Sequence, residues 1–456
     1  MREPAFSLLP APSAFSLKGK SVLVLGLGDS GLSAARWIEH EGGRVRAADT
    51  RASPPRGKDF SGEVHTGPFQ QSLIDGMDLV CISPGISLEE DVIGKALERG
   101  VPVVGDVELF AWHVRAKTAS KVVAVTGTNG KTTVTALTGH LLRGAGADCE
   151  VAGNIGPAAL DALLQRKQKN RMPAVWVLEL SSYQLETTWS LKPNAAAMLN
   201  LTEDHFDRYR GLDDYGAAKA RIFLGSGEQV LNRADPRSLA MRRAGRRVVT
   251  FGLDAPPTPD DFGVADGWLV QGERKILSQG ELPIRGGHNV ANALAAGALA
   301  SAAGVALHEI GPALRTFKGL PHRLELVAAR AGVEWYDDSK GTNVGATIAA
   351  LEGLGKKAVL ILGGEGKGQD FSPLRPPVKS HARAVLLIGR DAPRIEKVVG
   401  GERCATLEEA VRRAAEIAQP GDAVLLSPAC ASFDMFRDYK HRGDAFAAAV
   451  KGLPVV

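Results

Sequence analysis

The run KVVAVTGTNGKTT, Lys121 to Thr133, constrains the fold of this chain more than any other stretch. Its first residues are apolar and β-branched, as a buried strand needs, and they pass directly into a glycine turn and a helical pattern. The turn is close to a phosphate-binding loop, although the strict GxxxxGK(S/T) spacing would put a glycine where Val125 stands. The physical needs of phosphate binding are met all the same. Gly127, Thr128, Asn129 and Gly130 are small enough to bare backbone N–H groups, Lys131 reaches the β- and γ-phosphates, and Thr132 can hold Mg²⁺. The following helix, entered at Thr133, adds its positive end. This is an ATP site.

A second glycine turn, Gly26-Leu27-Gly28-Asp29-Ser30-Gly31, sits between the strand pattern SVLVLG and the helical stretch SAARWIEHEG. Asp49 ends the next strand, 18 residues after Gly31. Such glycines let a backbone approach a pyrophosphate, and the acid can bond a ribose hydroxyl. Any nucleotide diphosphate satisfies that geometry. Alone it says NAD-binding dehydrogenase; two nucleotide sites in one chain disfavour a simple dehydrogenase, since one can hold ATP and the other a nucleotide-activated substrate.

Strand and helix patterns alternate throughout, which implies parallel sheets covered by helices. The expected fold class is α/β with three domains: a Rossmann-like domain over 1–112, a central P-loop ATPase-type domain over 113–320, and a Rossmann-like C-terminal domain over 321–456. At 456 residues the length fits that count, at roughly 150 residues per domain. With 44% hydrophobic and 23% charged residues the chain is neither disordered nor fibrous. A net charge of +4 and 5% aromatics, with no basic stretch interleaved by aromatic rings, argue against nucleic acid. Cys81, Cys149, Cys404 and Cys430 are far apart, fit neither a disulfide framework nor a zinc site, and suit a reducing cytoplasm as buried small residues. Pro10 and Pro12 interrupt any signal-peptide core, and the Ala-rich run Ala293 to Leu307 is too short to span a membrane, so it reads as a buried helix. No hydrophobic patch points to a dimer; a soluble cytoplasmic monomer is expected.

Glu179 and His205 each follow an apolar strand, where ligands of parallel sheets bind, and together could hold Mg²⁺. A lysine partner for Glu179 and a turn-capping role for His205 explain them equally well. Lys219 reads as an ordinary solvated helix lysine. Asn289 and Asn292 stand at a helix start, where capping competes with contact to an adenine. Asp338, Lys340, Lys367 and Ser432 read as loop chemistry at strand ends.

The ordered set TGTNGKTT, LELSSYQLE, LNLTEDHFDRY, YGAAKARIF, GGHNVANALAA, GLPHRLE, DDSKGTN, LGGEGKGQDF and LSPACASFDMF resembles the Mur ligase family over nearly the whole chain. That resemblance implies an ATP-dependent amide-forming ligase of peptidoglycan precursor synthesis, and so of cell-wall biogenesis, cell shape and division. The first-domain segments, the GxGxxG turn with Asp49, SPGI and GDVELF, point within the family to addition of D-glutamate to UDP-N-acetylmuramoyl-L-alanine through an acyl phosphate. It further implies that Gly127 to Thr133, Asn289, Asn292, Arg323 and Asp338 bind ATP. Thr132, Glu179, His205 and Lys219, the last as a carbamate, would hold Mg²⁺. Gly28, Ser30, Asp49, Thr50, Arg51, Ser83, Gly85 and Asn154 would hold the UDP-substrate, and Lys340, Thr342, Lys367, Ser432, Phe433 and Tyr439 the glutamate.

The sequence departs from the family pattern at four places: Asp29 for an apolar residue, Tyr183 and Tyr439 for Phe, and Gly341 for Ala. None removes a catalytic group; Asp29 puts a carboxylate beside the expected diphosphate. The rival readings are another amide ligase of the superfamily (a different Mur step or folylpolyglutamate synthetase), an NAD-dependent oxidoreductase with an NTPase module, and a nucleotide-gated sensor.

Overall fold

A computed structural model describes residues 16–454; the stretch holding Pro10 and Pro12 lies outside them. Its first sheet comprises β1 (Ser21–Leu25), β2 (Arg44–Asp49), β3 (Val64–Thr66), β4 (Leu79–Ile82) and β5 (Val103–Gly105). They run in the order β3-β2-β1-β4-β5, and every pairing is parallel. Buried residues run without alternation along β4, because helices cover both faces of the sheet. The order reverses between β1 and β4, so the Gly26–Gly31 turn and Ser83 meet at the switch point where such sheets bind ligands.

The second sheet comprises β6 (Lys121–Thr126), β7 (Cys149–Gly153), β8 (Val175–Glu179), β9 (Ala195–Met198), β10 (Glu228–Asn232), β11 (Val248–Phe251), β12 (Phe262–Ala265), β13 (Trp268–Gln271) and β14 (Arg274–Ser278). Its order is β14-β13-β12-β11-β10-β9-β6-β8-β7, with only the β12–β13 and β13–β14 pairings antiparallel. β6 lies between β8 and β9, so the glycine loop emerges beside Glu179 and Asn200. Val125 is an interior residue of β6, paired with Glu179 on one side and Ala197 on the other. The loop proper therefore starts at Gly127, and no glycine is needed at Val125.

The third sheet comprises β15 (Glu325–Arg330), β16 (Val333–Asp337), β17 (Ala358–Gly363), β18 (Ala382–Ile388), β19 (Glu402–Arg403) and β20 (Ala423–Leu426), ordered β15-β16-β20-β17-β18-β19. Only β15 is antiparallel to its neighbour. The loops after β16, β17 and β20 carry Lys340, Lys367 and Ser432 to one end of it.

The first two sheets share a core. The helix Asp106–Lys117 is buried from Asp106 to Val114, and Phe110 meets Trp176 of β8 edge-on with ring centroids 5.1 Å apart. The border drawn after residue 112 falls inside this helix, whose apolar residues continue the first core into the second. The Ala-rich helix Gly287–Ala303 packs on the helix Lys131–Gly144 and lines the second core. Among the described residues no helix is long and apolar enough to cross a membrane. All four cysteines are free and buried.

Candidate functional site

A cavity of about 670 Å³ opens where the carboxyl ends of the second sheet face the third. Thr128 to Thr132, Asn154, Glu179, His205 and Lys219 line one side; Lys340, Thr342, Lys367, Ser432, Phe433 and Tyr439 line the other. The residues expected separately as metal, phosphate and amino-acid ligands thus face one space.

The glycine loop is built to fit its neighbours. Gly130 has φ +84°, and a Cβ there would stand 2.5 Å from Asn292 Oδ1. Asn200 Oδ1 accepts from the Asn129 N–H at 2.8 Å, and Asn200 Nδ2 donates to the Asn129 carbonyl at 3.0 Å. Lys131 folds back on its own loop, donating to the Gly127 and Thr128 carbonyls at 2.8 and 2.7 Å.

Lys219 is not a surface lysine. It is 1% exposed, donates to the Gly127 carbonyl at 2.8 Å, and lies 4.5 Å from the centroid of the Tyr215 ring. Tertiary packing removes it from water, which the local pattern of its helix could not reveal. Burial, with the Lys131 ammonium nearby, holds its amine well below the ordinary lysine range. Lys131 is lowered for the same first reason.

Glu179 is likewise 1% exposed. Its Oε1 accepts from Asn154 Nδ2 at 2.7 Å, while Oε2 is buried without a hydrogen-bond partner among the described residues. Among the described residues no lysine hydrogen-bonds it; Lys131, Lys219 and Lys340 feel its charge without forming a direct ion pair. His205 sits at φ +57°, with Nδ1 2.7 Å from the Tyr183 hydroxyl and Nε2 3.7 Å from Asp204. Burial lowers its pKa. An unpartnered carboxylate oxygen, an imidazole and a buried amine at one cavity fit a divalent cation bound with phosphate and water.

A second pocket of about 350 Å³ adjoins the loop on its other flank. Thr133, Asn289, Asn292, Arg323 and Asp338 line it. The capping explanation for the two asparagines fails: the helix begins at Gly287, its cap is Gly286, and no side chain caps it. Asn289 instead donates to the Arg285 carbonyl at 2.7 Å, and Asn292 donates to Asn289 Oδ1 at 3.1 Å. Asp338 accepts from Ser427 Oγ at 2.7 Å, and burial pushes its carboxyl up to about 7. Lys340 is lowered to about 8 by burial and then by the Arg323 cation.

The third pocket, about 860 Å³, lies at the switch point of the first sheet and holds all eight residues expected there: Gly28, Ser30, Asp49, Thr50, Arg51, Ser83, Gly85 and Asn154. Asp49 does not present a free carboxylate. One oxygen accepts from the Leu27 N–H at 2.7 Å, and the two together take a bidentate Arg51 pair at 2.8 and 2.6 Å. Burial opposes ionisation, but Arg51 and these N–H groups outweigh it and hold Asp49 at about 2. Its immediate work is to fix Arg51 and the glycine turn. Asp29, the departure from the family pattern, is exposed and pairs with Arg56 at 2.7 Å. Asn154 lines both this pocket and the central cavity, so the two communicate at its side chain.

Residues 20–105 match the Mur ligase MurD-like N-terminal domain, 125–300 the Mur ligase middle domain, and 322–430 the Mur ligase glutamate ligase domain. The chain is 54% identical to the UDP-N-acetylmuramoylalanine–D-glutamate ligase of Nitrosospira multiformis over 96% of both chains. The chain belongs to the Mur ligase family. It is also 52% identical to the enzyme of the same name from Aromatoleum aromaticum, over 97% of this chain and 99% of that one. In fold it is similar to MurF from Acinetobacter baumannii, at TM-score 0.61 and 19% identity over 97% and 93% of the two chains. The UDP-N-acetylmuramate–alanine ligase MurC from Thermotoga maritima gives TM-score 0.60 at 18% identity, over 95% and 99%.

Several groups that shape this Mur ligase site escaped the sequence reading. Asn343 caps the helix Val344–Gly353 and exchanges amide hydrogen bonds with Asn129 at 2.9 and 3.3 Å, tying the third sheet to the glycine loop. Arg208 stacks on Tyr183, pairs with Glu186 and donates to the Ile86 carbonyl at 3.0 Å, joining the His205 loop to the first sheet. Partners this distant in the chain leave no local signal. Among the described residues one trio of possible metal ligands clusters tightly, His322, Glu325 and Asp337. It is internally satisfied by hydrogen bonds of 2.9 and 2.7 Å.

Proposed function

We propose that this Mur ligase joins D-glutamate to the alanine carboxylate of UDP-N-acetylmuramoyl-L-alanine, using ATP, in peptidoglycan precursor synthesis. The observation that carries the reading is the convergence of three pockets: the first-sheet pocket meets the central cavity at Asn154, and the nucleotide pocket meets it at Asn129, Gly130, Arg323 and Lys340. UDP fits the first, ATP the second with its phosphates on Gly127 to Thr133, and glutamate the side lined by Lys340, Thr342, Lys367, Ser432, Phe433 and Tyr439. With the chain divided at 1–112, 113–320 and 321–456, the first part supplies most of the UDP pocket, the second the phosphate loop for ATP, and the third the glutamate side while closing over ATP with Arg323 and Asp338. The relatives' shared name and identity near 50% support the same assignment.

A carboxylate does not condense with an amine at neutral pH until one oxygen becomes a leaving group. The alanine carboxylate attacks the γ-phosphorus, ADP leaves, and an acyl phosphate forms. The glutamate amine, having lost a proton, adds to the acyl carbon; the tetrahedral adduct gives up a second proton from nitrogen to solvent and expels phosphate, leaving the amide. Phosphoryl transfer of this kind depends on positioning and charge neutralisation. Lys131 exchanges its two loop carbonyls for phosphate oxygens, and the N–H groups from Gly130 into the helix hold the rest, those of Thr128 and Asn129 being taken by Asn200. Lys340 and Lys367 draw the glutamate carboxylates. Thr132, Glu179, His205 and Lys219 would hold Mg²⁺, whose chemistry when bound is to neutralise charge on the phosphates. Burial and the Lys131 cation, by disfavouring the ammonium form of Lys219, favour its uptake of CO₂ as a carbamate, supplying a second carboxylate there. The reaction takes place in the cytoplasm, on a monomer.

Phosphate release tests the assignment. Release is expected only when ATP, Mg²⁺, UDP-N-acetylmuramoyl-L-alanine and D-glutamate are all present. Release from ATP alone would favour a nucleotide-gated device, and a nicotinamide absorbance change would favour the oxidoreductase.

A further inference from the structure

One wall of the first-sheet pocket comes from far along the chain. Lys440 lines this pocket, yet it belongs to the helix Tyr439–Lys451, which follows the third sheet. The preceding residue, Tyr439, lines the central cavity, with the Lys340 ammonium 4.0 Å from its ring centroid. Successive residues of one helical turn thus face the two pockets.

The charges around the pocket single out Lys440. Arg51 is tied to Asp49 at 2.6 Å, and Arg56 to Asp29 at 2.7 Å and Asp59 at 3.2 Å. The exposed Lys440 side chain makes no ion pair or hydrogen bond among the described residues. A nucleotide diphosphate brings two negative charges to a glycine turn where Asp29 already stands. Arg56 offsets Asp29, and Lys440 is the cation left uncompensated.

We propose that Lys440 is a binding residue for the diphosphate of the UDP-substrate, reaching from the C-terminal helix into the pocket of the first sheet. This rests on the reading of that pocket as the UDP site.

The test measures binding of UDP and of uridine to the full chain and to its K440A, K440E and K440R forms. Because the side chain is exposed, unchanged melting temperatures are expected. K440A should weaken UDP binding about tenfold, the order of one charge-assisted hydrogen bond. K440E should weaken it further and K440R restore it, with uridine binding unchanged throughout. The deficit should shrink as salt rises, because the pair is exposed. UDP affinity unchanged in all three variants, with the unsubstituted chain binding UDP, would overturn the proposal alone. An unsubstituted chain that binds neither UDP nor uridine overturns the pocket's assignment as well, before any substitution is made.

Discussion

Replacing Lys219 by alanine is expected to lower kcat by about 10³-fold, the scale of one essential charge at a transferring phosphoryl group. The side chain is 1% exposed and its only hydrogen bond among the described residues is to the Gly127 carbonyl, so two accounts compete. In one it merely fills the space beneath the glycine loop. In the other it is carbamylated and helps to neutralise the reacting phosphates. Lys219→Met separates them, because methionine refills most of the volume without the amine. A space-filling role predicts near-normal kcat per folded molecule in K219M, with a lowered melting temperature. The carbamate predicts that K219M is as inactive as K219A. It also predicts that ¹³C-bicarbonate gives a carbamate carbonyl resonance in the unsubstituted protein and none in K219A. Near-normal turnover in K219M would remove Lys219 from the chemistry.

Lys131→Ala is expected to cost about 10²–10³-fold in kcat, the scale seen when one preorganised donor to developing charge is removed. Lys131 is held over the loop by two carbonyls at 2.8 and 2.7 Å, a hold that arriving phosphates replace. K131R is not expected to rescue. A planar guanidinium cannot take the place of a compact ammonium against phosphate oxygens cradled in so tight a loop. The loss should fall on kcat more than on the KM for UDP-N-acetylmuramoyl-L-alanine, since that substrate's pocket does not include Lys131. An equal rise in that KM with kcat preserved would contradict the role.

What could be read from sequence was what short segments decide. Both glycine turns follow apolar strands and precede helices, so the α/β architecture, and where its crevices lie, were visible. Motif resemblance carried residues such as Asn154 and Tyr439, for which spacing alone offered no reason. Side-chain environment was not legible. Lys219 read as a solvated helix lysine because its burial depends on Tyr215 and on the Gly127 loop 92 residues away. Asn289 and Asn292 read as possible caps because asparagine is a good one, whereas the helix begins at Gly287 with Gly286 as its cap. Asp29 read as a hazard to a diphosphate, and only folding brings Arg56 within 2.7 Å of it. The Asn129–Asn343 pair, 214 residues apart, and Lys440 on the first-sheet pocket belong to the same class. They follow from how three sheets meet.

The most direct measurement of the central claim uses UDP-N-acetylmuramoyl-L-alanine labelled with ¹⁸O in both alanine carboxylate oxygens. If that carboxylate attacks ATP, one labelled oxygen must leave with phosphate when D-glutamate displaces it. Each phosphate released is then expected to carry one ¹⁸O from the carboxylate, with the other retained in the amide carbonyl. Unlabelled phosphate formed alongside amide product would mean that the carboxylate never accepts the γ-phosphoryl group, and would contradict the account.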